Sequence, residues 1–396
     1  MTYDLDRIVD RTGTDSIKWE YIERNFPDAK PDTLSMWVAD MDFACAPAIV
    51  TAIKDRADKE IFGYNYATSE AYSESVVGWF KRRFDWDVEQ EKLAYSPGII
   101  PALNFLVNIL CNEGEGVIIQ RPVYYPFTRI IEENKRKLVN NSLLYVDGSY
   151  EMDFVDLEQQ LKDPNNKILM FCSPQNPTGR VWTKEELSRV IALCKENDVW
   201  IISDEIHFDL VKKGIVHTPL EMIDPSYKDK IITCTAPSKS FNLAGLQISN
   251  IIIHDEALRT EWKQFTHMQL GIEGPNSFAM AATQAAYNDG EEWLDEVNAY
   301  IDNNFNYMEA FVKEHLPKVK MVEREGTYLA WLDFRGYGLT EDALRLLMIK
   351  EANLTLDDGF IFGAEGTGFQ RFNLACPNSF VVRCMASIQK AVSTLG

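Results

Sequence analysis

Five short runs along the chain, Gly116–Gln120, Lys167–Ser173, Val199–Ser203, Ile231–Thr235 and Ser249–His254, are rich in apolar residues at consecutive positions. Runs apolar on both faces suit strands covered by helices on both sides, and therefore a largely parallel sheet. Between the second and third runs, Thr183-Lys-Glu-Glu186 forms a capping box, and Leu187, Val190, Ile191 and Cys194 follow at helical spacing. This predicts a crossover helix. The alternation of strand and helix holds from about residue 95 to 255, which predicts an α/β domain with its functional loops at the carboxyl ends of the strands.

From Asn276 to His315 the pattern turns helical, and a strand-like Thr327–Phe334, a helix from Thr340 to about Glu351 and a strand around Phe369–Leu374 follow. This tail reads as a smaller α+β domain. The expected organisation is an N-terminal segment, 1–45, packing on the small domain or a partner subunit, a large domain over 46–288 and a small C-terminal domain over 289–396. No internal repeat or flexible linker interrupts it.

Composition narrows the class of function. Of 396 residues, 46% are hydrophobic and 25% charged, the balance of a folded globular chain. Sixty acidic against forty basic side chains give a formal charge of −20, which opposes binding to nucleic acid or anionic membranes. No apolar run approaches the roughly 18–20 residues of a membrane span, and the charged start MTYDLDRIVDRTGTDS does not resemble a signal peptide. A cytoplasmic location is expected. The seven cysteines are scattered, with no CxxC pair, and read as small core residues in a reducing compartment. With five histidines and no HExxH or clustered Cys/His spacing, no metal site is expected.

Four loops carry candidate chemistry. Ser96-Pro97-Gly98-Ile99-Ile100 precedes an amphipathic run, and a Pro-Gly turn opening a helix leaves N–H groups that favour an anion such as phosphate; an ordinary turn has the same pattern. Ser173-Pro-Gln-Asn-Pro-Thr-Gly179 holds Asn176 at the edge of the sheet, where its amide either donates to a ligand or closes its own turn. Asp204, in Ser203-Asp-Glu-Ile-His207, follows an apolar strand and either keeps a ligand's ring nitrogen protonated or caps a turn. Lys239 sits in Thr235-Ala-Pro-Ser-Lys-Ser-Phe-Asn, where a partly buried amine suits Schiff-base chemistry, although most lysines are solvated surface groups.

A phosphate turn, an amide, a carboxylate and a loop lysine at successive strand ends form the layout that pyridoxal 5′-phosphate (PLP) requires. The sequence here resembles fold-type I PLP-dependent enzymes of the aspartate-aminotransferase superfamily, and within it the MalY/PatB-type cystathionine β-lyase (cysteine-S-conjugate β-lyase) family. The resemblance covers nearly the whole chain. It is carried by Trp37-Val-Ala-Asp-Met-Asp-Phe43, Ser96-Pro-Gly-Ile-Ile100, Asn176-Pro-Thr-Gly179, Asp204-Glu-Ile-His207, Ser238-Lys-Ser-Phe-Asn-Leu-Ala-Gly-Leu246 and Arg371-Phe-Asn-Leu-Ala-Cys-Pro377.

The resemblance implies that Lys239 forms the Schiff base, Asp204 pairs with the pyridine nitrogen, Asn176 bonds the phenolic oxygen and Tyr124 stacks on the ring. Gly98, Ile99, Ile100 and Ser238 would hold the phosphate. Tyr64 would reach it from the neighbouring subunit, which implies a homodimer with shared active sites. Arg371 would bind the α-carboxylate of a small amino-acid substrate, with Asn176 and Tyr124 beside it. Two positions depart from the aminotransferase pattern: His207 stands where those enzymes place a tyrosine on the phenolic oxygen, and Gln247 where they place a phosphate-binding arginine. Both fit the lyase branch and leave the phosphate leaning on backbone amides.

The implied reaction is β-elimination, releasing a thiol, pyruvate and ammonia. Transamination is the first alternative, since the same cofactor supports both. A regulatory protein-binding role is the second, with the four central side chains intact. Nucleotide binding fails, because Gly363-Ala-Glu-Gly-Thr-Gly368 reverses the dinucleotide fingerprint and no GxxxxGK[ST] occurs.

Overall fold

The computed structural model describes residues 2–395. At its centre is a seven-stranded sheet, ordered Leu93–Ser96, Ser249–Ile253, Ile231–Thr235, Trp200–Asp204, Asn166–Cys172, Gly116–Ile119, Lys137–Asn140. Neighbours pair in parallel except at Ser249–Ile253, which runs antiparallel to both of its neighbours. All five apolar runs are strands of this sheet. The two edge strands escaped notice because each is only partly covered: Lys137–Asn140 buries none of its four residues fully, and Leu93–Ser96 buries only its ends.

Alternation along the central strands gives the first sheet a separate core layer on each face. Ile168, Met170 and Cys172 face a layer containing the helices Ile99–Leu110 and Pro126–Glu133, whereas Leu169 and Phe171 face one containing Phe154–Leu161 and Lys184–Glu196. The capping box is present, with Thr183 Oγ1 accepting from the Glu186 amide at 3.2 Å and Glu186 Oε2 from the Thr183 amide at 2.8 Å. Its helix buries Leu187, Val190, Ile191 and Cys194, as the spacing predicts.

The second sheet is antiparallel, ordered Lys320–Met321, Leu329–Asp333, Phe369–Asn373, Asp357–Asp358. The helical stretch after Asn276 is two helices, Ser277–Asp289 and Glu291–His315, meeting at Gly290. A side chain at Gly290 would stand 2.4 Å from the Ala286 carbonyl and 2.7 Å from the Phe241 ring, so close packing selects glycine there. Six of the seven cysteines are buried, and none is paired. No helix among the described residues is long and apolar enough to cross a membrane.

Residues 34–43 join the second sheet to the central one. Leu34–Ser35 pairs in parallel with Leu354–Thr355, and the strap that follows, Trp37–Phe43, runs between the two sheets. Asn373 Nδ2 donates to the carbonyls of Val38 and Asp40 from one side, and Asn242 Nδ2 to those of Met41 and Phe43 from the other.

Candidate active site

The carboxyl ends of the parallel strands open onto one cavity, lined by Gly98, Ile99, Ile100, Tyr124, Asn176, Asp204, His207, Ser238 and Lys239, together with Ala39 and Gln247. A second cleft shares Ala39, Tyr124 and Lys239 with it and continues to Arg371, Asp357, Trp37 and Tyr125. Nine of the sequence-derived positions therefore meet in one space, with Arg371 in the adjoining one. Tyr64 does not join them: it is fully exposed, and nothing in its own chain covers it.

The floor is built where strand Leu93–Ser96 turns into helix Ile99–Leu110. Gly98 adopts φ 141°, a conformation that favours glycine, and the Ser96 hydroxyl donates to its carbonyl at 2.8 Å. No side chain caps this helix. Its first amides are free to receive an anion, and the helix dipole adds positive potential at the same point.

Asp204 ends strand Trp200–Asp204 and is buried. Its Oδ1 accepts from the Ile206 amide at 3.1 Å, so the turn-capping role is real, but Oδ2 has no partner among the described residues. Burial raises its carboxyl to about 7, partly offset by that amide and by the Lys239 ammonium. A carboxylate this poorly solvated calls for a cation or a strong donor in the cavity. His207, one turn on, is also buried, and its Nδ1 has no partner. Burial first, then the positive charges of Lys239 and Arg371, push its pKa well below the ordinary value, so the ring is neutral.

Lys239 lies in the short helical turn Pro237–Ser240 after strand Ile231–Thr235. Its amine donates to the Ala39 carbonyl at 2.6 Å, and the Tyr328 hydroxyl donates to the same oxygen at 2.7 Å. Desolvation lowers its pKa to about 8, against the opposing pull of Asp40 and Asp204. A minority of the amine is thus neutral and nucleophilic at neutral pH, a far larger fraction than for a solvated lysine. The Ser240 hydroxyl donates to the buried Asp209 carboxylate at 2.6 Å, which ties the lysine turn to the loop carrying Asp204 and His207.

Arg371 is no surface ion pair. It lies buried in strand Phe369–Asn373, directly across from Asp357 of the neighbouring strand, and its guanidinium bonds the Asp357 carboxylate. It also donates to Asn176 Oδ1 and to the Trp37 carbonyl, both at 3.0 Å. Asn176 therefore bonds Arg371 rather than its own backbone. Arg371 Nε is buried and has no partner among the described residues. Burial raises the Asp357 carboxyl while the guanidinium pulls it back.

Sequence reasoning missed Asp357 and the carbonyls of Trp37 and Ala39. The motif Trp37–Phe43 was visible, but its working groups are backbone atoms, which leave no mark on side-chain identity. Asp357 has only its cross-strand register to reveal it.

Comparison with known proteins agrees with this geometry. Residues 31–387 match the aminotransferase class I and II family. The chain is 41% identical to the cystathionine β-lyase PatB of Bacillus subtilis (strain 168), over 98% of this chain and 100% of that one. The crystal structure of cystalysin from Treponema denticola, which contains a pyridoxal 5′-phosphate cofactor, superposes with TM-score 0.96 at 37% identity, covering 100% of both chains. The PLP-bound C–S lyase from Staphylococcus hominis does so with TM-score 0.93 at 37% identity, over 99% of this chain and 98% of that one. With the fold, the strand-end cavity and these full-length matches in agreement, the chain belongs to the aminotransferase class I and II family, in its cystathionine β-lyase branch.

Proposed function

We propose that the protein is a PLP-dependent carbon–sulfur β-lyase that cleaves cysteine S-conjugates such as cystathionine to a thiol, pyruvate and ammonia. The observation that carries this reading is the single cavity that joins uncapped helix amides, a half-satisfied buried carboxylate and an amine lowered to about 8. These groups fit the cofactor's anion, ring nitrogen and aldehyde in turn, and the unpartnered His207 Nδ1 leaves a further polar atom for its ring substituents.

In this reading the amides of Gly98, Ile99 and Ile100 and the Ser238 hydroxyl hold the phosphate, Asp204 the ring nitrogen, Asn176 and His207 the phenolic-oxygen side, Tyr124 the ring face, and Lys239 is the point of attachment. When bound, PLP supplies an electron sink for a carbanion at the substrate's Cα. Arg371, held rigid by Asp357, Asn176 and the Trp37 carbonyl on the wall of the adjoining cleft, offers its guanidinium to the substrate carboxylate and so orients the Cα–H bond. The Lys239 amine takes the Cα proton, and the low-dielectric cavity that lowers its pKa makes it a competent base near neutral pH.

Tyr64 completes the site from a second copy of the chain, making the enzyme a homodimer with shared active sites. The exposure of Ile61, Phe62, Tyr64 and Tyr66 on one segment supports this, because a contiguous apolar surface marks an interface. Residues 46–288 form the large cofactor-binding unit and 289–396 the small one, with 1–45 docked on the latter through its pairing to Leu354–Thr355. The unpaired cysteines support a cytoplasmic location.

The test is an absorbance spectrum of the purified protein followed by L-cystathionine with coupled detection of pyruvate. A visible cofactor band with catalytic pyruvate release is expected. A cofactor converted stoichiometrically to its amine form, turning over only with a keto-acid acceptor, would identify an aminotransferase instead. No band after addition of PLP would refute cofactor chemistry altogether.

A further inference from the structure

Resting on the lyase reading above, we infer that Arg24 binds a carboxylate at the far end of the sulfur substituent, so that the preferred substrates are cysteine S-conjugates ending in a second acid group. The cleft that reaches Lys239 and Arg371 is walled toward solvent by Ile17, Tyr21, Arg24 and Asn25 of the N-terminal segment.

This wall is anchored on both sides of Arg24. Before it, Lys18, 1% exposed, places its amine 2.6 Å from Asp42 Oδ2, and the Trp19 indole donates to Asp42 Oδ1 at 2.9 Å. After it, Phe26 meets the edge of Trp37 with ring centres 5.2 Å apart. Between these anchors the turn Ile22–Asn25 buries Ile22 and leaves Arg24 exposed, its guanidinium 4.5 Å from the centre of the Tyr21 ring. Stacking on an aromatic face leaves the N–H edge of a guanidinium free for a planar acceptor.

The two arginines of the cleft contrast sharply. Arg371 is buried and committed to Asp357 and Asn176, whereas Arg24 makes no ion pair with any described carboxylate. What sets Arg24 apart from other exposed arginines is its place, on the wall of the cleft that also holds Lys239 and Arg371. A substrate with an α-carboxylate at one end and a second carboxylate beyond its sulfur, as in L-cystathionine and L-cystine, matches one deep and one outer guanidinium. S-alkyl cysteines engage only the deep one.

The experiment compares Arg24→Gln with the unmodified holoenzyme on L-cystathionine and S-ethyl-L-cysteine. The ratio of kcat/KM values, cystathionine over S-ethylcysteine, is expected to fall about fivefold, the upper end for an exposed ion pair. The loss should sit in KM and shrink with added salt, and Arg24→Lys should restore part of it. The same contrast is expected in dissociation constants measured by calorimetry on PLP-loaded Lys239→Ala protein with and without Arg24→Gln. An equal loss for both ligands, or none, would overturn the assignment. If the unmodified holoenzyme releases pyruvate from neither compound, the lyase reading fails separately, and the calorimetric contrast still decides the role of Arg24.

Discussion

Replacing Arg371 by Met separates its two tasks, substrate binding and compensation of a buried charge. Methionine keeps an apolar stem against Phe362, whose ring centre lies 4.9 Å from the guanidinium carbon, so the loss is chiefly electrostatic. The substrate loses charge-assisted hydrogen bonds of about 1.5–3 kcal/mol, a roughly ten- to hundredfold rise in KM. Asp357, 7% exposed, loses its only counter-charge among the described residues, and breaking a buried pair costs about 3–5 kcal/mol of stability. The carboxyl escapes part of that cost by taking a proton. Its pKa is already raised by burial, with Arg371 opposing the rise, so removing Arg371 raises it further. A group whose folded pKa lies above its unfolded one holds its proton longer in the native state, so stability is present at low pH and falls as pH rises through the folded pKa. The thermal midpoint of Arg371→Met, measured across pH against the unmodified protein, should therefore show a deficit that shrinks on acidification. In Arg371→Met/Asp357→Asn this pH dependence should vanish while KM stays high. A deficit independent of pH, or unaffected by the second substitution, would refute the reasoning.

Lys239→Ala should abolish pyruvate release, since it removes both the attachment point and the proton-transfer amine; substantial residual turnover in the coupled assay sinks that role. For Asp204, raised to about 7 by burial, the sign is the same as for Asp357: PLP-stripped protein should lose stability as pH rises through 7. Asp204→Asn should remove that component of the melting profile and weaken cofactor retention on dialysis, and an unchanged profile counts against it. Tyr64→Ala should fold normally because the side chain is fully exposed, yet retain PLP poorly. Mixed dimers of Tyr64→Ala and Lys239→Ala chains should regain activity by assembling one intact site, and failure to do so argues against a shared site.

Much of this architecture is written in short-range pattern. The apolar runs that became central strands declare themselves because both faces are buried, and the Thr183 capping box because its two hydrogen bonds join residues three apart. Four of the side chains that line the site, Asn176, Asp204, Ser238 and Lys239, lie where an apolar strand gives way to a polar loop, so their order along the chain already pointed to one ligand. Even so, the resemblance of six motifs in sequence order, more than any single spacing, identified the cofactor.

What only the tertiary structure decided is contact between segments far apart in the chain. The two edge strands were invisible because each is only four residues long and only partly covered, so neither shows an apolar run or a regular alternation. Asn176 and Arg371 are 195 residues apart and meet because two sheets converge on one cleft, and Asp357 faces Arg371 through register between neighbouring strands. The Ala39 carbonyl holds the Lys239 amine from 200 residues away through an atom that every residue possesses. Side-chain identity at those positions carries no trace of such pairings, because register and backbone contacts are set by packing over the whole fold, whereas strands, caps and loop chemistry are set by neighbours within a few residues.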